Sequence, residues 1–125
     1  MDIQQQDVGV SHRSSSGQVV ERLVVVNRHI LDHYEQPLTL HGLSALVGCH
    51  PAYLSHVYSK VFHVSPLHHL QQIRMKKAKL LVLDTRLRMK EIANKLGYVS
   101  NSQFGSIYKR YYGISPNKDR ASALK

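Results

Sequence analysis

The sequence predicts an all-α protein of two helix-turn-helix subdomains joined by a long linker helix. Three observations carry this. Apolar residues recur at helical spacing along much of the chain. A helix-start signal, a capping hydroxyl followed by proline at the first helical position, occurs at Ser65-Pro66 and again at Ser115-Pro116. The chain also contains an internal repeat: LSHVYSKVFHVSP (Leu54 to Pro66) aligns at a spacing of 50 with FGSIYKRYYGISP (Phe104 to Pro116), sharing Tyr58/Tyr108, basic Lys60/Arg110, aromatic Phe62/Tyr112 and the Ser-Pro pair. Upstream, Gly48 and Gly97 match at a spacing of 49, so the second turn is one residue longer. Composition alone does not readily produce such a match, which marks the stretches as equivalent subdomains.

Taken in order, residues 1 to 17 are rich in Gln, Ser and Gly without sustained periodicity and read as a disordered tail or linker. The first subdomain, residues 18 to 64, opens on a packing helix from Gln18 to Glu35, where Val20, Leu23, Val24, Leu31 and Tyr34 fall near helical spacing. Pro37 ends it, because proline restricts its predecessor and cannot continue the hydrogen-bond ladder. Thr39 reads as an N-cap for a short helix, Leu40 to Val47, with Leu38 and Leu43 placed for a hydrophobic staple. Gly48 stops that helix, and Pro51 starts another running to about Phe62. Ser65-Pro66 opens the linker helix, residues 65 to 84, with Leu67, Leu70, Ala78 and Leu81 on one stripe and Ile73, Lys77 and Leu80 beside it. The second subdomain, residues 85 to 121, holds a short helix, a tight turn and a second helix between Arg88 and Pro116. There Gly97 supplies the positive φ of a helix C-terminus and Ala93 allows close helix crossing. Residues 122 to 125 are a tail.

With 125 residues, 42% of them apolar, the chain has material for one or two small cores. Its charge is uneven. Residues 1 to 59 hold three Lys/Arg and five Asp/Glu, whereas residues 60 to 125 hold fourteen and three. A polyanion is the expected partner of that basic half, and Asn101, Ser102, Gln103, Lys109 and Arg110 on or near its last helix fit a nucleic-acid groove. The longest apolar runs, Leu23 to Val26 and Leu80 to Leu83, are four residues each, too short for a membrane span or a signal-peptide core, so a cytosolic protein is expected.

Catalytic and metal chemistry find no support. There is no phosphate loop, nucleophile elbow or paired metal motif, so neither an enzyme nor a cofactor is expected. His29 and His33 have i, i+4 spacing but lack the Glu of a hydrolytic zinc helix and a third ligand, and read as solvated helix surface. Protonation of His41, His50, His56, His63, His68 and His69 would add charge to the weakly basic first unit. Cys49, the lone cysteine, matches Tyr98 and reads as a small buried hydrophobe. Tyr58, Phe62, Tyr108 and Tyr112 read as core aromatics, while Tyr53, at the start of a helix, is open to either role. Lys76, Lys77 and Lys79, with Arg74, Arg86, Arg88 and Lys90 nearby, form either a solvated face or a phosphate-facing edge.

These residues resemble the DNA-binding domain of AraC/XylS-type bacterial transcription regulators. The similarity covers roughly residues 20 to 121 and is most specific in EIANKLGYVSNSQFGSIYKRYYGISP, Glu91 to Pro116. It implies about seven helices, with Pro51 to Phe62 and Asn101 to Tyr112 as recognition helices. The family's contact positions fall here on Pro51, Ala52, Tyr53, Ser55, His56 and Lys60, and on Asn101, Ser102, Gln103, Gly105, Ser106 and Lys109. Asn or Gln can pair with adenine, Ala52 can meet a thymine methyl, and Lys and Arg mostly hold phosphates. Helix starts at His50 and Ser100 would add backbone donors. Arg74 matches a linker-helix arginine with either a structural or a DNA-contacting role.

The sequence departs from the family at four places. Family members often carry Arg where His56 and Ser106 stand, Ser44 replaces a usual alanine, and Asp119 replaces an aromatic that would help dock the last short helix. Gly105 sits inside a helix at a cost of about 1 kcal/mol against alanine. The function implied is sequence-specific binding of double-stranded promoter or operator DNA, with transcription activation through RNA polymerase, as monomer or dimer. A linker helix of about 27 Å plus its flanking helices can reach successive major grooves, about 34 Å apart. The alternative is a protein-interaction module with mainly nonspecific DNA binding.

Overall fold

A computed structural model describes residues 11–124, and among them the chain forms seven α-helices and no strand: α1 (Ser11–Asp32), α2 (Leu40–Leu46), α3 (Pro51–Phe62), α4 (Pro66–Asp84), α5 (Met89–Lys95), α6 (Asn101–Tyr112) and α7 (Pro116–Ala123). Two compact units result. One comprises α1 up to Asp32 together with Thr39–Leu67; the other comprises His33–Leu38 and the chain from His68 onward. The all-α architecture with paired helix-turn-helix units is thus as expected. Most of α4, however, is an integral wall of the second unit, as is the short segment His33–Leu38.

The first helix differs from expectation at both ends. It begins at Ser11, inside the stretch read as a tail; residues 1 to 10 lie outside the described residues. It stops at Asp32, and the amide of Gln36 donates to His33 O at 3.0 Å in the turn that follows.

In the first unit, α1 packs on α2 and α3. The buried apolar side chains are Leu23, Val26 and Ile30 from α1, Leu43 from α2, and Leu54 and Tyr58 from α3. The expected stripe through Val20, Val24 and Leu31 is exposed instead. Asn27 Nδ2 donates to the Tyr58 hydroxyl at 3.3 Å, and the Tyr58 and Phe62 rings meet at a tilt of 40° with centroids 4.5 Å apart. Thr39 caps α2 by accepting from Gly42 N, and the buried Ser44 hydroxyl donates to His41 O at 3.0 Å, so the serine leaves no unmet polar group. Cys49, expected to be buried, is half-buried and less enclosed than its match Tyr98.

In the second unit the core joins Met75, Ala78 and Val82 of α4 with Met89, Ile92, Ala93 and Leu96, then Tyr98, Phe104 and Tyr108. On α4 the buried face therefore runs through Met75 and Val82, whereas Leu67 and Leu80 are exposed and Leu81 is half-buried. A chain of aromatic contacts, Tyr98 to Phe104 to Tyr108 to Tyr112, has centroid spacings of 5.8, 5.7 and 4.8 Å. Full burial of each large side chain stabilises by about 1.5–3 kcal/mol.

Arg74 takes the structural role. Its Nε donates to Tyr34 O at 2.7 Å and its Nη2 to Gln36 O at 2.8 Å, while the guanidinium lies 5.1 Å from the Tyr98 ring centroid. Gly97, at φ +90°, lies against the same segment so closely that a Cβ would collide with the Glu35 carbonyl. The last helix is docked by polar contacts where an apolar one was missing. Asp119 accepts from Lys79 Nζ at 2.6 Å and from the Tyr108 hydroxyl at 2.5 Å, and Arg120 Nε donates to Val82 O at 2.8 Å.

Candidate nucleic-acid interface

Each unit buries one face of its second helix and leaves the other open. In α6, Phe104 and Tyr108 are fully buried, whereas Asn101, Ser102, Gln103, Ser106, Lys109 and Arg110 are exposed and Gly105 is half-buried. In α3, Leu54 and Tyr58 are buried, Ala52, Tyr53, His56 and Lys60 are exposed, and Pro51 and Ser55 are half-buried. Tyr53 is 43% exposed, which separates it from the core aromatics. The recurring spacing of three or four residues, as in Ala52, His56 and Lys60 or Ser102, Ser106 and Lys109, gathers these side chains on one face of each helix.

Capping fixes both helix starts. His50 Nδ1 accepts from Ala52 N at 3.2 Å, and Ser100 Oγ accepts from Gln103 N at 3.0 Å. In α6 the Phe104 amide goes to Ser100 O at 3.1 Å. Of the first four amides, those of Asn101 and Ser102 are therefore left beyond the helix's own bonding, directed at its N-terminal end. Such donors suit phosphate or base oxygens.

Gln103 has a second role that the sequence reading missed. Its Oε1 accepts from Val99 N at 2.9 Å, tying the turn to the helix. The spacing Ser100-x-x-Gln103, close to a capping box, was the available signal. Gly105 has an ordinary helical φ, and a Cβ added there would meet nothing within 4 Å, so no neighbour among the described residues requires a glycine.

The basic residues divide by role. Arg74 and Lys79 are used internally, and Lys79 Nζ also lies 4.2 Å from the Tyr112 ring centroid. Lys77 sits 5.9 Å from the Tyr34 ring centroid. Lys76, Arg86, Arg88 and Lys90 are exposed. Burial lowers the pKa of His69, which opposes its protonation, while His41, His50, His56, His63 and His68 are exposed. Among the described residues no group of three or more His, Cys, Asp or Glu side chains is placed to hold a metal ion, and no helix is long and apolar enough to cross a membrane.

A short helix, a tight turn and a second helix, as in α2–α3 and α5–α6, make up the helix-turn-helix class. A family model described as a helix-turn-helix domain matches residues 43–122. The chain belongs to the AraC-type helix-turn-helix family of DNA-binding transcription regulators. It is 27% identical over 112 residues to the uncharacterized HTH-type transcriptional regulator YdiP of Escherichia coli, covering 88% of this chain and 37% of YdiP. It is 32% identical over 89 residues to the uncharacterized HTH-type transcriptional regulator YisR of Bacillus subtilis, covering 71% and 31%. The chain thus spans about a third of the length of these curated relatives. Among solved structures, the C-terminal domain of AraT, a response regulator from Geobacillus stearothermophilus, superposes with a TM-score of 0.77 at 33% identity, covering 81% of this chain and 84% of that one. The DNA-binding domain of AdpA, solved in complex with a target DNA, shares the fold with a TM-score of 0.75 at 22% identity, covering 81% and 91%.

Proposed function

We propose that this protein reads a specific sequence of double-stranded promoter or operator DNA by inserting α3 and α6 into successive major grooves, and that it activates transcription through RNA polymerase. The observation that supports the reading best is the shared design of the two helices. Each buries one face, Leu54 and Tyr58 in α3 and Phe104 and Tyr108 in α6, and leaves the other face open from its N-terminal end, and the fourteen basic residues from Lys60 onward supply phosphate attraction. The contacts assigned are Pro51, Ala52, Tyr53, Ser55, His56 and Lys60 from α3, and Asn101, Ser102, Gln103, Gly105, Ser106, Lys109 and Arg110 from α6. Activation, polymerase contact, binding as monomer or dimer, and work at the nucleoid in the bacterial cytoplasm belong to the same proposal and are suggested by the family resemblance alone.

Selection of bound sequences from random duplex DNA tests this reading. One asymmetric consensus is expected, with two base clusters about one helical turn apart. Asn101→Ala should relax preference at one position by about 1–3 kcal/mol, and it is a cleaner probe than Gln103, whose side chain also holds Val99 N. Recovery of no consensus over a range of salt would instead favour a protein-interaction module with nonspecific DNA binding.

A further inference from the structure

The duplicated units differ by one residue in their turns, and the structure identifies what the extra position carries. Gly48, Cys49 and the N-cap His50 lead into α3, whereas Gly97, Tyr98, Val99 and the N-cap Ser100 lead into α6. Tyr98 fills the buried place that corresponds to Cys49, so Val99 is the residue without a counterpart. It is 89% exposed. An apolar residue just before an N-cap ordinarily staples onto the residue four positions into the helix. That residue is Phe104, which is fully enclosed by other neighbours, and Val99 remains in solvent. Its backbone is nevertheless fixed, with Val99 N donating to Gln103 Oε1 at 2.9 Å. A solvated isopropyl group on a hydrogen-bonded backbone therefore stands next to Asn101 and Ser102, at the end of α6 that a recognition helix offers to base edges.

Resting on the DNA-reading function proposed above, we infer that Val99 is a specificity-determining residue whose side chain packs on the C5-methyl group of a thymine in the major groove. Thymine alone among the four bases carries an apolar group there, and a β-branched side chain fixed at its backbone can cover it with little loss of freedom.

The test uses the preferred duplex from the selection experiment, with each thymine replaced in turn by deoxyuridine, which lacks only the methyl. The intact protein should lose about fourfold in affinity at one thymine, the worth of one buried methyl group. Val99→Ser should bind the thymine and uracil versions of that position equally, and Val99→Ile should keep the preference. All three proteins should melt together, since the side chain is in solvent. Indifference of the intact protein to every replacement, or an equal loss by Val99→Ser at the sensitive thymine, overturns this inference and leaves the DNA-reading function standing. Absence of any preferred duplex overturns both.

Discussion

Gly48 and Gly97 occupy matching turns and both take positive φ, +65° and +90°, yet a side chain would meet different surroundings at each. At Gly48 a Cβ finds nothing within 4 Å, so Gly48→Ala should cost only the left-handed strain, about 1–2 kcal/mol. At Gly97 the same strain is joined by a collision with the Glu35 carbonyl, rigid backbone that Arg74 holds through Tyr34 O and Gln36 O. Gly97→Ala is therefore expected to cost at least about 3 kcal/mol, read as the shift in urea midpoint at unchanged m. The repeat made the two positions legible as turns because periodic sequence reports local conformation. It could not distinguish them, because the neighbour at Gly97 comes from a segment more than sixty residues away. The same limit applies to Arg74, whose structural role depends on carbonyls that any sequence would supply.

Helix α7 shows how an element can be docked by polar groups in place of the usual aromatic. Asp119 receives Lys79 and the enclosed Tyr108 hydroxyl, and removing the acceptor strands that hydroxyl. Asp119→Ala should therefore cost about 1–3 kcal/mol at neutral pH. Hydrogen bonds from Lys79 and Tyr108 hold the Asp119 carboxyl below its ordinary value. A depressed folded-state pKa contributes stability above the unfolded pKa, about 3.9, and that contribution disappears as pH falls through the folded value. Urea midpoints measured at pH 7 and near pH 3 should accordingly show the gap between the parent and Asp119→Asn narrowing in acid. Helix existence and most boundaries from Thr39 to Pro116 were legible, because Thr39, Pro51, Ser65-Pro66 and Gly97 act locally. The buried stripes were less so. The run Leu23 to Val26 presents apolar groups at every angle of α1, and only packing on α2 and α3 selects Leu23, Val26 and Ile30. On α4, Met75 and Val82 sit among lysines and leucines that obscure the inward face. The exposed positions of α3 and α6 came from the family resemblance, whereas the capping role of Gln103 and the solvation of Val99 depend on how the turn folds.

For the whole molecule, the basic charge lies almost entirely beyond residue 59, so the second half should dominate the ionic part of DNA affinity. Lys109→Ala should weaken all duplexes alike and reduce the slope of log affinity against log salt by about 1, measured by titration across salt concentrations. The division of the chain has a different kind of consequence. The second unit is assembled from His33–Leu38 and from the chain beyond His68, with the first unit's α2 and α3 inserted between them. Arg74 and Gly97 both rest on that early segment. No single cut in the backbone can therefore free the second unit from the first without dividing it: a fragment beginning at His68 leaves behind the carbonyls that the Arg74 guanidinium meets. In the order of synthesis, the first unit can close as soon as its residues emerge, while Tyr34 and Gln36 must wait some forty residues for Arg74.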